Sequence, residues 1–265
     1  MDARHAAGHD ESPSVLAALA SLSVTELVLI AAMAAIASII GGVAGYGTGA
    51  LMPLVLVPIV GAEPVVPIIA ISALFTNTSR AFAFRDVIDG RRALIIVAAA
   101  IPTAMLGAWG YTRLTGTGAM LVIGSMMMLS VPLRRLSKRH GLTLSERSLA
   151  VTSVGWGVVV GGTSGAGIIL LSMLMAAGLE GAAVIATDAA ISVIIGIVKI
   201  GVFGVFGAVD AKVVAVALLI GVVAFPGAFL AKAIVDRLPL HVHTAILDAV
   251  VICGGLLMVL GAIVR

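Results

Sequence analysis

Apolar residues fall in ten runs along the chain, roughly 24–41, 46–60, 64–84, 92–112, 117–133, 147–161, 166–178, 184–205, 212–234 and 243–263. Polar and basic residues are confined to the short intervals between them. Several runs are long enough to cross about 30 Å of hydrocarbon at about 1.5 Å per residue, so the pattern predicts membrane-spanning helices. Two pairs differ: 24–41 with 46–60, and 147–161 with 166–178 are short pieces joined by a glycine-rich break. Each pair reads as two tilted spans, a re-entrant hairpin or one broken helix.

Composition agrees with lipid as the solvent. Apolar residues are 61% of the 265 and charged residues only 11%, against about a quarter charged in soluble domains. The mean hydropathy is +1.21. A pI near 9.4 invites a nucleic-acid partner, but the placement of the charges excludes one. Of sixteen Lys and Arg, four lie between Arg80 and Arg92 and five between Arg134 and Arg147. Such clusters between apolar runs mark the cytoplasmic side. Segments 92–112 and 117–133 separate the two basic loops, and two crossings return the chain to the same side. With ten crossings the polar N-terminal tail, 1–23, lies outside. This tail lacks the basic start of a secretory signal, so it reads as a retained, mobile terminus. The lone Cys253 offers neither a disulfide nor a zinc site.

Shifting the sequence against itself by 120 residues uncovers a repeat. Gly41, Gly42, Gly45, Gly47, Leu51, Leu54, Gly61, Ala62, Ala70, Ile71 and Ser72 recur as Gly161, Gly162, Gly165, Gly167, Leu171, Leu174, Gly181, Ala182, Ala190, Ile191 and Ser192. The fold expected is therefore an all-α integral membrane protein with two repeats of about five segments each, 24–133 and 147–265, around a basic linker at 134–146. Five crossings per half make the repeats inverted, the arrangement expected here; if each glycine-broken pair crosses only once there are eight spans, both termini are cytoplasmic and the repeats are parallel. A binding site between such halves can be exposed alternately to either side.

The breaks read GGVAGYGTG at 41–49 and GGTSGAG at 161–167. Glycine permits unwound backbone, which within a membrane must be buried in protein or line a wet cavity. Helix N-termini that follow the breaks offer N–H groups and a positive dipole end to an anion. Gly45, Tyr46, Gly47, Thr48 and Gly49, with Thr163, Ser164, Gly165 and Gly167, are thus candidate binding residues. The competing reading is small-xxx-small helix packing, since Gly41, Gly45 and Gly49, and Gly157, Gly161 and Gly165, are spaced four apart. No Lys-Ser/Thr follows the glycines, which excludes a phosphate-binding loop.

Polar residues inside the long runs add to the candidate set. Ser72, Thr76 and Ser79 share a helical face beside Asn77 and Arg80, and Asp188, Ser192 and Lys199 share another. Ionisable residues inside a membrane are costly and mark function. Asp188 is the proton-coupling candidate, while Arg80 and Lys199 attract an anion or snorkel to an interface. His241 and His243 lack a third ligand and read as interfacial, so neither a metal nor a cofactor is expected.

The stretch GYGTGALMPLVLVPIVGAEPVV, the loop FAFRDVIDGRRA, the run IPTAMLGAW and the second cluster GGTSGAGIILLSMLMAAGLEGAAVIATDAAIS resemble the TauE/SafE sulfite exporter family over roughly 25–263. That resemblance implies secondary transport of sulfite, a sulfonate or a similar anion in the inner (plasma) membrane, with the glycine clusters bordering the pathway. The partners expected are a small anionic solute, a proton and the lipid bilayer, with a homodimer left open and nucleic acid excluded. A passive anion channel and a non-transporting membrane scaffold are the alternatives. No nucleophile–base pair supports an enzyme.

Overall fold

The computed structural model describes residues 14–44, 48–139, 143–227, 230 and 240–264, and the side chains of all of these except 41–44, 134–139 and 240–249. Most of these residues are helical, and no strand occurs among them. The helices are α1 (Val15–Ala20), α2 (Val24–Ala44), α3 (Thr48–Val60), α4 (Val65–Ala83), α5 (Gly90–Tyr111) and α6 (Gly116–Arg139). They continue as α7 (Glu146–Gly162), α8 (Gly167–Ala176), α9 (Ala182–Val205), α10 (Ala211–Ala224) and α11 (Leu240–Val264).

Among the described residues four stretches are long and apolar enough to cross a membrane: Val65–Ala83, Gly90–Tyr111, Gly116–Leu133 and Ala182–Val205. Large apolar side chains such as Leu94, Val151, Val222, Leu257 and Ile263 stand exposed around the outside. In water such a surface would be a liability, and against lipid it is the natural one.

Several boundaries differ from those read off the sequence. Gly41, Gly42, Gly161 and Gly162 are helical, so both breaks are narrower than the glycine runs. Helix α6 continues to Arg139, which makes the first part of the expected linker helical. Helix α10 ends at Ala224, with Phe225 as its C-cap donating its backbone N–H to the Gly221 carbonyl; of the rest of the run drawn to 234, residues 228–229 and 231–234 lie outside the described part. The expected mobile tail is ordered over α1, where Ser14 caps the Ala17 N–H and the helix rests on α10. Residues 1–13 lie outside the described part.

Helix directions follow from a few contacts. Leu74 of α4 meets Gly196 of α9, and Arg80 meets Asp188, so α4 and α9 run antiparallel. Gly124 meets Gly255 and Met120 meets Gly261, so α6 and α11 are antiparallel too. By contrast, Ala100 lies against Gly157 and Ala104 against Gly161, which makes α5 and α7 parallel. A Cβ at Gly157 or Gly161 would strike α5 backbone, so these two glycines serve the close packing of small residues. Arg91 and Glu146, 2.9 Å apart, tie the first turns of α5 and α7 together. The starts of α5 and α7, which follow the two basic loops, therefore lie at one end of the bundle. There Asp89 caps α5 by accepting from the Arg92 N–H at 2.9 Å. That bond, aided by the Arg92 guanidinium, holds the Asp89 carboxyl below the usual range.

Candidate functional site

The inner faces of α4 and α9, which cross at the centre, enclose a cavity of about 140 Å³ together with the start of α3 and the break before α8. Helical spacing aims the lining: Asp188, Ser192, Ile195 and Lys199 come from one face of α9, and Ala73, Thr76, Asn77 and Arg80 from one face of α4. Thr48 and Gly49 open α3, and Thr163, Ser164, Gly165 and Gly167 form the second break. Of the described residues proposed from the sequence, all but Ser72 and Ser79 thus border one space. Gly45, Tyr46 and Gly47 lie outside the described residues.

The second break is built to stay open. Thr163 is extended (φ −147, ψ 178). Gly165 has φ +84, a left-handed conformation that favours glycine. Trp156 fixes the turn by donating its indole N–H to the Ala166 carbonyl at 3.1 Å. A Cβ on Gly49 would lie 2.8 Å from the Gly165 nitrogen, so the start of α3 rests directly on the break before α8. The glycine ladder of the second half is therefore divided by role: Gly157 and Gly161 pack, and Gly165 breaks the helix.

Of the two readings open for Arg80 and Lys199, both side chains turn inward rather than out toward an interface. Lys199, 7% exposed, turns inward and donates to the Val160 carbonyl at 2.6 Å and the Thr163 carbonyl at 3.1 Å. It thereby caps the C-terminal end of α7, where unpaired carbonyls and the negative dipole end favour a cation. Among the described residues no carboxylate pairs with it. Arg80 is met by Asp188 at 3.4 Å and by the Asn77 side-chain oxygen.

The other hydroxyls divide as well. Ser72 is buried on its own helix and bonds the Ile69 carbonyl. Ser79 turns to the Phe225 carbonyl at 3.2 Å, so neither faces the cavity. Thr76 does face it, although its hydroxyl also donates to the Ala73 carbonyl. Ser164 Oγ and Asp188 Oδ1, both buried, have no hydrogen-bond partner among the described residues. Trp156 and Ser38 are lining residues that sequence reasoning missed. An indole N–H inside an apolar run, which must find an acceptor when buried, was the available signal for the first. Ser38 carried none.

No cluster of His, Cys, Asp or Glu suited to a metal occurs among the described residues. No curated protein and no solved structure matches the chain significantly. The profile described as "Sulfite exporter TauE/SafE" does match, over residues 30–258. That family is one of membrane transporters rather than enzymes. With apolar helices, a glycine-broken centre and a match over most of its length, the chain belongs to the TauE/SafE sulfite exporter family.

Proposed function

We infer that the protein is a secondary transporter of a small sulfur oxyanion in the plasma membrane, and that the halves 24–133 and 147–265 form an inverted repeat rocking about the central cavity. The observation that carries this reading is the antiparallel crossing of α4 and α9, repeat-equivalent helices whose inner faces line the cavity. A two-fold axis that exchanges two antiparallel spans lies in the membrane plane, the arrangement of inverted-repeat transporters.

Helix pairing supports the same symmetry. Exchanging the halves maps α5 on α7 to α10 on α2, α5 on α9 to α10 on α4, and α6 on α8 to α11 on α3. The self-paired α4–α9 and α6–α11 contacts remain in place. Both basic loops fall at one end, which the positive-inside rule assigns to the cytoplasm.

In this reading the anion is held by Lys199 and by the hydroxyls of Thr48, Thr76, Thr163, Ser164 and Ser192. The open backbone at Gly49, Gly165 and Gly167 and the side chains of Asn77 and Arg80 complete the site, while Gly45, Tyr46 and Gly47 extend it beyond the described residues. Asp188 ties movement to a proton. No nucleotide-binding motif is present, so a gradient drives the cycle.

Purified protein in liposomes tests this. Sulfite accumulation should exceed equilibrium when an inward proton gradient is imposed and collapse when it is dissipated. Flux that only equalises concentrations, whatever the gradient, would make the protein a channel.

A further inference from the structure

We propose that this cavity admits a sulfur oxyanion only as a monoanion, so that sulfite enters as bisulfite rather than as the dianion, and that Asp188 is the residue that enforces the choice. The inference rests on the transport reading above and specifies the form of the substrate.

Charge accounting leads to it. Arg80 and Asp188, 11% and 2% exposed and 3.4 Å apart, cancel each other. Lys199 adds one positive charge, with only neutral carbonyls as its partners among the described residues. Each break joins the C-terminus of one helix to the N-terminus of another, so the helix dipoles also cancel. Among the described residues the lining therefore sums to one positive charge, which a monoanion neutralises. A dianion would leave one negative charge uncompensated in a low-dielectric interior, where unpaired charge is costly.

The position of the acid sharpens the rule. Asp188 and Lys199 stand eleven residues apart on α9, about 16 Å along its axis, so they mark opposite ends of the cavity. Oδ2 of Asp188 faces Arg80, whereas Oδ1 is buried without a hydrogen-bond partner among the described residues and the residue borders the cavity. An anion passing that end meets a bare acceptor, which repels negative charge and welcomes a donated hydrogen. Bisulfite carries such a hydrogen and the dianion does not.

The other elements around Asp188 offer little to offset this. From α5 the Asp89–Arg92 pair comes near, its Asp89 N–H donating to Thr187 at 2.9 Å, but it is internally neutral. From α4 the charged group is Arg80, the 3-10 turn Arg85–Val87 that also packs on α9 carries the exposed Arg85–Asp86 pair, itself neutral, and α8 brings no titratable residue.

The test measures entry of sulfite, methanesulfonate (a monoanion at all relevant pH) and sulfate (a dianion) into liposomes holding the full-length protein. Wild-type protein should take methanesulfonate at least about tenfold faster than sulfate. As pH falls, its sulfite uptake should rise more steeply than its methanesulfonate uptake, the excess following the bisulfite fraction. Asp188→Asn raises the net charge of the lining by one and should raise the sulfate-to-methanesulfonate ratio at least about tenfold. Adding Arg80→Gln to Asp188→Asn restores the original charge and should restore the preference. Sulfate entering the wild type as fast as methanesulfonate overturns the proposal, as does an unchanged ratio in Asp188→Asn. If neither variant inserts, the wild-type profile decides alone, and sulfite uptake that is flat or rises with pH overturns it. Absence of both sulfite and methanesulfonate uptake would instead remove the anion-transport reading itself.

Discussion

Lys199→Met should lower sulfite flux about a hundredfold, equivalent to ~2.7 kcal/mol of lost interaction. Lys199 supplies the positive charge of the cavity that no described carboxylate offsets, and methionine keeps its length without its charge. The substitution also strips the donor from the Val160 and Thr163 carbonyls, and an unpaired buried acceptor costs about 1–3 kcal/mol. Some loss of thermal stability is therefore expected alongside the loss of flux. Lys199→Arg separates the two effects. It keeps the charge and can still cap α7, so it should recover a substantial part of transport. A Lys199→Met protein that is stable and transports normally would remove the lysine from the pathway.

The second large effect is steric. Gly49→Val should abolish transport while leaving membrane insertion intact. Any Cβ at this position would stand 2.8 Å from the Gly165 nitrogen and 3.2 Å from its Cα. Backbone, unlike the tip of a flexible side chain, cannot step aside without moving the break. The start of α3 and the break before α8 would be forced apart, and the cavity that both line would change shape. Gly167→Ala is the contrast, because its Cβ would enter open space. That variant should fold and retain measurable flux. Equal activity in Gly49→Val and wild type would mean that the contact between the two halves at this point plays no part in transport.

Much of this site could be read along a single helix face. Asp188, Ser192 and Lys199 share a side of α9 by spacing alone, and that side lines the cavity. The same reasoning applied to Ser72, Thr76 and Ser79 succeeded only at Thr76. A serine can satisfy itself locally or on a neighbouring helix, as Ser72 does on the Ile69 carbonyl and Ser79 on the Phe225 carbonyl. Spacing does not encode that choice.

The pairing of Arg80 with Asp188 joins residues in different helices and different halves, so it needed the crossing of α4 and α9 to become visible. Lys199 was open to the opposite reading, a chain reaching outward to the membrane surface. Its true direction depends on the unpaired carbonyls at the end of α7, at Gly162, which the apolar run at 147–161 places to within a residue without showing which side chain reaches them. Glycines that pack against Ala100 and Ala104 look the same in sequence as the one that adopts φ +84. The neighbouring backbone decides between them.

The central claim is that a sulfur oxyanion occupies the space between the two halves at the glycine breaks. Crystals of the full-length protein soaked with selenite, a heavier analogue of sulfite, test it through the anomalous signal of selenium. The account predicts a peak beside Lys199, Thr163 and Ser164, lost in Lys199→Met. Selenium bound elsewhere on a transport-competent protein, with this cavity vacant, would contradict it.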